Sequence, residues 1–580
     1  MPGSEEFIQT AVHALEAGGL AVWVRRSAVV LGIIGIAGIY MYQFRGLSTS
    51  HGMDQAQIGR AIARGEGWKT KLARPRAVGQ LQAHGKSVPD KIWTDTYNAP
   101  LPPLVDAVAL IFVKPYWKMS PRTLVYAGDR AIAVMSILLF MASIVVLFLI
   151  AQRLFDRRLA LLACGLVFLC DAMWQYSISG LPQMLLLLLF NVAIYLLVRA
   201  VEAHWAEQSP LKWLAAAGAV FGLLMLTHAL TAWIFLGALI FAAFYFHPRG
   251  LAAAVLLGPW LIVYLPWVIR TWIVSGNPGG VAIYSFYNGM LRTEWGWMRQ
   301  LNFDPGAGLL TAFCDKITTG LTGQAAHSFE YFGFSVVALM FFVSLLYAFN
   351  RTETATMRWM VLAMWGGAAA GMTVYGINDE QGVAANQLHL IFVPLMTCYG
   401  LAYLLVQWNR LAITARFARA GFIVLLYLLC AFPLVFATPW LAPARPYVHW
   451  PPYMPPAIGV LNDWMKPEEI TCSDMPWAIA WYADRRSLWL PETIRVFTDF
   501  GDYNVLGGPV NALYLTPVSG TDNKLRDIVK GEYKDWSAVI QRTQQLETFP
   551  LKWNTVALGL DNECIFLSDR DRGLQHSGSE

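Results

Sequence analysis

Long apolar runs alternate with short polar connections over the first three quarters of the chain. Each run is close to the roughly 20 apolar residues that a helix needs to cross a bilayer. The runs lie near residues 27–44, 131–152, 159–178, 184–203, 211–227, 229–246, 251–269, 331–349, 358–375, 388–406 and 418–437. This pattern predicts an α-helical polytopic membrane protein of about eleven transmembrane helices, formed by residues 1–438.

Positive charge is concentrated in every second connection. With the N-terminus inside, the inner segments contain Arg25, Arg26, Arg153, Arg157, Arg158, Arg199, Lys212, Arg249, Arg351, Arg358, Arg410, Arg416 and Arg419. The short outer connections, around 179–183, at 228 and at 376–387, contain no Lys or Arg. Because cytoplasmic loops are enriched in these residues, the N-terminus is predicted to be cytoplasmic. An odd number of spans in the cytoplasmic (inner) membrane then places residues 439–580 outside, with two long outer loops, 45–130 and 270–330.

Composition agrees with a membrane protein. Hydrophobic residues make up 56% of the 580 residues and charged residues only 14%, whereas a soluble domain has roughly a quarter charged residues. The 24 Trp and 23 Tyr are typical of chains whose aromatic rings collect at both membrane interfaces. The net charge of +5 indicates no nucleic-acid partner, because cytoplasmic loops account for it.

The outer segments have patterns of their own. Apolar residues at Ile58, Ala61 and Ile62 predict a short amphipathic helix on the membrane surface that ends at Gly65 and Gly67. The stretch Pro100–Val113 predicts a second interfacial helix, and Pro439–Pro456 a linker. Beyond the linker, an α/β domain is predicted from strand-like runs at 470–472, 487–490, 512–515 and 564–567 and helical runs at 475–483 and 536–547. Cys472 and Cys564 lie in strand-like runs, where a disulfide and two separate thiols are both open.

Ionisable residues at the membrane boundary are the first candidates for chemistry, because they are costly there unless they are used. Asp54 follows the first span and is placed to hold a carboxylate just above the membrane; the alternative role is capping of the amphipathic helix. Lys71 and Arg74 suit the phosphate of a lipid headgroup, whether a substrate or an ordinary lipid. Arg270 closes a span and can also snorkel to the interface.

Two further positions lie at the outer ends of spans. His389 begins a span after Asn386 and Gln387, where an imidazole and two amides can bind an anion or simply satisfy one another. Asp171 either caps a helix locally or faces a cavity. The chain has no P-loop, HExxH, GxSxG or dinucleotide fingerprint, so no motif predicts nucleotide chemistry or an organic cofactor.

Several short motifs occur together in one order. They are Met53-Asp54-Gln55-Ala56-Gln57-Ile58-Gly59-Arg60, Gly65-Glu66-Gly67-Trp68, Asn98-Ala99-Pro100-Leu101-Pro102-Pro103-Leu104, Asp129-Arg130, Leu226-Thr227-His228, Pro266-Trp267-Val268-Ile269-Arg270 and Gly276-Asn277-Pro278. In this order the chain resembles, over roughly residues 27–410, the polytopic glycosyltransferases of the GT-C class. The resemblance is to the family 39, protein-mannosyltransferase-like proteins, which include the aminoarabinose transferases of lipid A.

The resemblance implies transfer of a sugar from a polyprenyl-phosphate carrier to a lipid, polysaccharide or protein acceptor on the outer face. Asp54 matches the first-loop acid that acts as general base in such enzymes. Lys71, Arg74, Arg270 and His389 are the candidates for binding the donor phosphate. The remaining candidate site residues are Gln55, Asp129, Arg130, Asp171 and Gln387.

Two departures from the family pattern concern a metal. Gln55 follows Asp54 where many relatives have Glu, and Gly180-Leu181-Pro182-Gln183 stands where many have an acid. They argue against a divalent metal held by acids from both loops. A single-base, metal-independent mechanism and a loss of activity both stay open.

Two other classes of function compete with the transferase. One is a lipid or glycan transporter or flippase, although such proteins place ionisable residues at the midplane of two related halves, and this chain shows neither feature. The other is a non-catalytic cell-envelope assembly factor with a degenerate transferase site.

Overall fold

The computed structural model describes residues 19–88, 92–119, 123, 125–290, 296–377, 382–411, 413, 416–436, 455–502, 505–519, 528–529, 533–540, 549–554 and 564–572. The chain divides into one unit of Met1–Arg45 with Phe436–Val448 and a larger one of Gly46–Val435 with His449–Glu580. In the first unit the structure describes helix α1, Gly19–Gln43. Most of the predicted linker 439–456 and the end of the predicted helix 536–547 lie outside the described residues.

The larger unit is mainly helical up to residue 435. Its helices there are α2 Ser50–Ala63, α3 Pro75–Ala83, α4 Leu101–Ile111, α5 Ala127–Leu154, α6 Arg157–Phe168, α7 Asp171–Ile178, α8 Gln183–Trp205, α9 Leu211–Thr227, α10 Thr231–Tyr245, α11 Arg249–Ser275, α12 Leu309–Ala326, α13 Ser328–Tyr331, α14 Val336–Ser344, α15 Thr352–Tyr375, α16 His389–Arg410 and α17 Arg416–Phe436. Short 3₁₀ helices at Lys114–Tyr116, Gly280–Tyr287 and Gly296–Arg299 lie in the two long loops, 45–130 and 270–330.

Among the described residues, five helices are long and apolar enough to cross a membrane. They are α5, α8, α11, α16 and Phe417–Leu434 of α17. A sixth span results if α6 and α7, which meet at 55°, are counted as one. Leu211–Thr227 and Thr231–Tyr245 are apolar but shorter. The fold is therefore that of a polytopic helical protein, and the number of eleven spans stays a prediction.

Two predicted spans are interrupted for identifiable reasons. The run 159–178 breaks between α6 and α7, just before the buried polar residue Asp171. In the run 331–349 the helix covers only Val336–Ser344, and it begins late because Gly333 and Phe334 have φ values of +64° and +57°. That left-handed backbone cannot continue a right-handed helix. Hydropathy detects the apolar runs but not these breaks.

Close helix packing uses small residues at some crossings. A Cβ atom at Gly400 of α16 would lie 1.8 Å from the carbonyl oxygen of Val337 in α14, so only glycine fits there. At Gly218 of α9 a Cβ would lie 2.1 Å from Leu256 O of α11. Small residues that let helix backbones approach are typical of membrane bundles.

This packing leads to a first prediction. Gly400→Ala is expected to lower the free energy of unfolding by about 1–3 kcal/mol, because α14 and α16 must move apart. The matched control is Gly421→Ala in α17, where a Cβ meets nothing within 4 Å. Alanine there is expected to raise helix stability by up to about 1 kcal/mol. Thermal unfolding of the purified variants measures both effects, and equal shifts would contradict the crossing geometry.

The C-terminal part forms a mixed six-stranded sheet. Its strands are β2 Leu72–Ala73, β4 Ile470–Ser473, β5 Arg486–Trp489, β6 Val510–Leu515, β7 Trp553–Asn554 and β8 Ile565–Ser568, in the order β2-β5-β4-β6-β8-β7. Strands β2, β5, β4 and β6 are parallel, whereas β8 is antiparallel to both β6 and β7. The helices of this part are α18 Pro455–Gly459, α19 Leu461–Trp464, α20 Pro476–Ala478, α21 Ile494–Asp502 and α22 Ser537–Ile540. A π turn, Ile479–Ala483, follows α20.

The sheet is not built from the C-terminal residues alone. Strand β2 belongs to the long loop 45–130, and its Leu72 pairs with Ser487 of β5. The core under the sheet also contains Trp93 of the first loop and Trp297 of the second. The predicted α/β domain is therefore present, but the long loops 45–130 and 270–330 complete its sheet and core.

The two cysteines of this part do not form a disulfide. Cys472 is a fully buried free thiol in β4, and Cys564 directly precedes β8. Because β6 lies between these strands, with Leu513 facing both Cys472 and Leu567, β4 and β8 are about 10 Å apart. A disulfide requires Cα atoms within about 7 Å, so of the two alternatives the separate thiols are found.

Candidate active site

Helix α2 carries Asp54 inside the protein. The helix is capped by Thr49, whose side-chain oxygen accepts a hydrogen bond from the Gly52 N–H. Asp54 is the fifth residue of the helix, so the alternative that it caps α2 is wrong. All ten residues from Gly52 to Ala61 are buried, which means that protein surrounds the helix instead of leaving one face on a membrane surface. The helix ends where predicted, with Gly65 and Gly67 at φ +83° and +80°.

The Asp54 carboxylate is 3% exposed and is held on one side by two donors. Arg74 and Asn98 both donate to its Oδ2 atom, the latter at 2.7 Å. The Oδ1 atom accepts a longer bond of 3.3 Å from Gln57 Nε2. Oδ1 is therefore the oxygen with capacity to take up a proton from a bound molecule.

A second buried carboxylate, Asp95, lies beside this pair. Arg74 donates to Asp95 Oδ1 at 3.4 Å, and the Asn98 backbone N–H donates to Asp95 Oδ2 at 2.8 Å. Burial raises the pKa of Asp95, while the Arg74 charge opposes that rise and Asp54 adds to it. Arg270 of α11 donates to the Asp95 backbone carbonyl at 2.7 Å and lies over the Trp267 ring. Two of the predicted phosphate-binding residues, Arg74 and Arg270, are thus brought to the Asp54 cluster.

Short strands hold these residues over α2. Strand β1, Lys69–Thr70, pairs with β3, Trp93–Thr94, and Thr70 Oγ1 accepts a 2.6 Å bond from Gln57. Arg74 immediately precedes α3, and Asp95 immediately follows β3. The β1–β3 ladder therefore fixes both residues relative to the helix that carries Asp54.

Lys71 instead takes part in an ion cluster with the C-terminal part. Its ammonium donates to Asp484 Oδ1 at 2.6 Å, and Arg64 and Arg60 lie 2.8 and 3.0 Å from the same carboxylate. Burial alone raises the pKa of Asp484, but the charges of Arg60, Arg64 and Lys71 outweigh it and hold that pKa well below its ordinary value. In this structure Lys71 therefore serves a protein contact, and its role toward phosphate stays a prediction.

The segment Pro476–Asp484, referred to below as the 476–484 segment, contacts both α2 and α5. Arg60 is 1% exposed and donates to the carbonyls of Ala480 and Trp481, each at 2.7 Å. Asp129 of α5 accepts from Trp481 Nε1 at 2.7 Å and from the Tyr482 hydroxyl at 3.0 Å. These bonds place Asp129 in a structural contact, whereas its neighbour Arg130 is exposed.

The other candidates lie in separate groups. His389 accepts from Trp365 Nε1 through Nδ1 and contacts Gln324 Oε1 through Nε2, both at 3.0 Å, so its ring nitrogens serve protein partners. Gln387 donates to Tyr331 O at 2.6 Å. Asp171 accepts from Gln175 Nε2 at 2.7 Å on the same helix. The described contacts of these three residues do not join them to the Asp54 cluster.

A buried acid next to α2 was not selected from the sequence. Asp106 of α4 lies against Gly59, whose added Cβ would be 2.9 Å from the Asp106 Cβ. Desolvation by burial raises the pKa of Asp106 to about 8. The native state therefore binds more protons than the unfolded chain between roughly pH 4 and pH 8, and stability falls as the pH rises through this window.

Asp106→Asn tests this titration. The amide is neutral at every pH, so the variant is expected to gain stability over wild type as the pH rises from about 4 to 8. The gain is at most about 1.4 kcal/mol per pH unit and levels off above pH 8. Unfolding midpoints of the variant and of wild type, measured at pH 5, 7 and 8.5, give the size of this gain at each pH. A constant difference between the two proteins across this range would show that Asp106 does not titrate there.

The cluster fits a metal ion poorly. Arg74 bridges the carboxylates of Asp54 and Asp95 and brings a positive charge to the oxygens that a cation needs. Over the described part of the chain, no group of three or more His, Cys, Asp or Glu residues is placed to hold a metal ion.

Sequence reasoning missed Asp95, Asp106 and Asp484. Asp95 lies three residues before the Asn98 motif, and an acid within a strongly basic loop was a usable signal. Asp484 carried no such signal, because its partners on α2 and in β1–β2 lie more than 400 residues away.

Part of the chain is similar in sequence to a known protein family. Residues 115–274 match the family described as dolichyl-phosphate-mannose-protein mannosyltransferase. Comparison with curated proteins gave no significant match.

Three solved structures are similar to this chain, the first two with a TM-score of 0.50 or more. The Archaeoglobus fulgidus oligosaccharyltransferase complex with Zn and sulfate is 14% identical with a TM-score of 0.52, over 84% of this chain and 68% of that one. The oligosaccharyltransferase AglB of the same organism, in complex with an inhibitory peptide and a dolichol-phosphate, is 14% identical with a TM-score of 0.50, over 86% and 70%. ArnT from Cupriavidus metallidurans in the apo state is 14% identical with a TM-score of 0.45, over 94% and 98%.

The family match and the oligosaccharyltransferase fold agree with the resemblance found in the sequence motifs. The chain is a multi-pass membrane protein that shares its fold with an oligosaccharyltransferase and matches a mannosyltransferase family over residues 115–274.

Proposed function

We propose that this protein transfers a sugar from a polyprenyl-phosphate carrier to an acceptor on the outer face of the cytoplasmic membrane. The observation that carries the proposal is the Asp54 carboxylate, which is buried with one oxygen held by Arg74 and Asn98 and the other only weakly bonded. A buried carboxylate oriented in this way suits a general base.

In the proposed reaction the acceptor nucleophile loses its proton to Asp54 Oδ1. A bond forms between the nucleophile and the anomeric carbon of the sugar while the bond from that carbon to the carrier phosphate breaks. The electron pair leaves with the phosphate, which stays on the polyprenyl chain. The developing negative charge requires cationic donors at the leaving group.

Arg74 and Arg270 are the groups that meet this requirement. Both guanidiniums contact Asp95, Arg74 at its carboxylate and Arg270 at its backbone carbonyl. A phosphate that binds beside Asp95 competes with Asp54 for Arg74, so donor binding draws the guanidinium away from the base. Lys71 and His389 remain predicted to contribute to phosphate binding, although both contact protein partners in this structure.

The surface beside this cluster suits a lipid carrier. Helix α11 carries Arg270, which contacts Asp95 in the Asp54 cluster. On the same helix the side chains Ile262, Ile269 and Ile273 are exposed. On α4, Val108 and Ile111 are exposed as well. Apolar side chains exposed on helices of a membrane protein face acyl chains, so a polyprenyl chain along α11 brings its phosphate to Arg270. The dolichol-phosphate named in the AglB complex supports a carrier of this chemical type.

The test is transfer in membranes that contain the full chain. Radiolabelled polyprenyl-phosphate sugars are added to membranes from cells with and without the gene, and label is followed into lipid, polysaccharide and protein fractions. Gene-dependent labelling of one fraction supports the transferase. Movement of the intact labelled carrier across the bilayer, without transfer, would identify a flippase. Outer-face glycans that are unchanged by deletion, with no consumption of any carrier, would favour the assembly factor.

A further inference from the structure

Gln55 lies next to Asp54 on α2, and its side chain is 1% exposed. Its Nε2 atom is 2.9 Å from Nε2 of His51, one helical turn earlier. The His51 ring meets the Tyr97 ring edge-on at 6.2 Å, and Arg74 lies over that same Tyr97 ring. The His51–Gln55 pair is therefore contiguous with the Asp54–Arg74 pair.

The state of His51 determines how the Gln55 amide is oriented. Burial lowers the pKa of His51 to about 4 despite the opposing effect of Asp54, so the imidazole is neutral. With its proton on Nδ1, the neutral imidazole accepts the amide N–H of Gln55 at Nε2, and the Gln55 carbonyl then points away from His51. Within the described residues, no donor reaches Gln55 Oε1.

Asn98 also has a buried side-chain oxygen without a donor. Its Nδ2 atom donates to Asp54 and Asp95, and no donor from the described part of the chain reaches its Oδ1 atom. The side chain is 4% exposed. Leaving a buried acceptor unpaired is unfavourable, so a buried carbonyl oxygen without a donor is a place where a donor from outside the protein can bind. One of these oxygens belongs to a donor to Asp54 and the other to the residue after Asp54 in α2, and both can accept hydrogen bonds from a ligand that supplies donors.

We propose that Gln55 Oε1 and Asn98 Oδ1 accept hydrogen bonds from hydroxyl groups of the donor's sugar ring, and that this subsite selects sugars without acidic substituents. The inference rests on the proposed function, because it places the sugar between the base Asp54 and the phosphate-binding arginines. Hydroxyl groups supply the donors that both carbonyls need. A sugar carboxylate supplies only acceptors and meets the Asp54 carboxylate, which disfavours it.

Equilibrium binding of three carriers to the purified full chain in detergent tests the subsite. The probes are polyprenyl phosphate, polyprenyl-phosphate mannose and polyprenyl-phosphate glucuronate. The mannose carrier is expected to bind about 3- to 10-fold more tightly than the bare carrier, as one or two added hydrogen bonds imply. The glucuronate carrier is expected to bind no more tightly than the bare carrier.

Variants then assign the preference to residues. Gln55→Met keeps the length of the side chain and is expected to reduce the preference for mannose, with bare-carrier affinity unchanged. His51→Phe keeps a ring against Tyr97, releases the Gln55 amide and is expected to weaken the preference as well. Gln82→Met, at an exposed glutamine of α3, is the matched control and should bind all three probes like wild type.

The outcomes separate this inference from the function on which it rests. If wild type binds none of the three carriers, the proposed function fails. If it binds them but shows no preference for mannose over the bare or glucuronate carrier, the subsite is overturned while carrier binding stands. A full preference retained in Gln55→Met also overturns it. The comparison of probes on wild type needs no variant, so a folding defect cannot obscure the result.

Discussion

Asp54→Asn is expected to reduce sugar transfer by about 10²- to 10⁴-fold, the contribution that general-base catalysis usually makes. The substitution keeps the shape of the side chain and a carbonyl oxygen that can still accept from Arg74 and Asn98, the two donors to Asp54 Oδ2. What it removes is the ability to take up the proton of the nucleophile. The binding of the polyprenyl-phosphate donor is therefore expected to survive.

The measurement is the initial rate of transfer with the same amount of folded protein in each sample. Asp315→Asn is the matched control, because Asp315 is an exposed carboxylate on α12 and its rate should equal that of wild type. Wild-type transfer by Asp54→Asn would remove Asp54 from the mechanism. If Asp54→Asn lost both donor binding and transfer, the result would indicate that the carboxylate positions Arg74 and is not the base.

Local features of the long loop 45–130 could be predicted from sequence because each has a local cause. The 3.6-residue spacing of Ile58, Ala61 and Ile62 predicts α2, and the two glycines after it adopt the left-handed backbone that ends the helix. The proline-led stretch after Asn98 likewise forms α4. In each case the residues that determine the structure are close together in the chain.

Contacts between distant segments could not be predicted in this way. Strand β2 has two residues, too few to show any periodicity, and it becomes a strand only because β5 is beside it. Asp54 was selected for its position near the membrane, but its partners Arg74 and Asn98 lie 20 and 44 residues away. Neither the hydropathy pattern nor the spacing of motifs predicts which residues at these sequence separations come into contact.

The same limit applies to the basic residues of the loop. Sequence alone treats Lys71 and Arg74 as equivalent cations close together, whereas the fold sends Arg74 to Asp54 and Lys71 to Asp484. The difference arises because Lys71 lies between β1 and β2, and β2 is drawn into the C-terminal sheet. Which cation meets a substrate is decided by tertiary contacts.

Asp484→Asn is expected to destabilise the outer part of the protein by about 3–5 kcal/mol, because it leaves the buried Arg60 without its carboxylate partner. Arg60 is 1% exposed, and Arg64 and Lys71 share the same carboxylate. The amide cannot neutralise three cations that are held together by the fold. Since the pKa of Asp484 is lowered in the folded state, its contribution is present at neutral pH and is lost only as the pH falls below about 4.

Thermal unfolding of the purified protein measures the effect, and Asp463→Asn is the control. Asp463 pairs with Lys118 at 2.7 Å, but both side chains are exposed, and an exposed pair is worth at most about 1 kcal/mol. Similar shifts for the two variants would contradict the view that burial gives Asp484 its effect. Arg64→Ala should lower the free energy of unfolding by less than Arg60→Ala does. Arg64 is 26% exposed, so water already solvates part of its side chain and its ion pair contributes less.

The Asp484 cluster also affects the proposed reaction through helix α2. Arg60 and Asp54 lie on the same buried helix, and the bonds from Arg60 to Ala480 and Trp481 fix that helix against the 476–484 segment. If this contact loosens, Asp54 loses its fixed distance from Arg74, which β1 and β3 hold from the other side. We therefore expect Asp484→Asn to lower the transfer rate at temperatures well below its unfolding midpoint, without the change in donor affinity that loss of a phosphate-binding residue would produce.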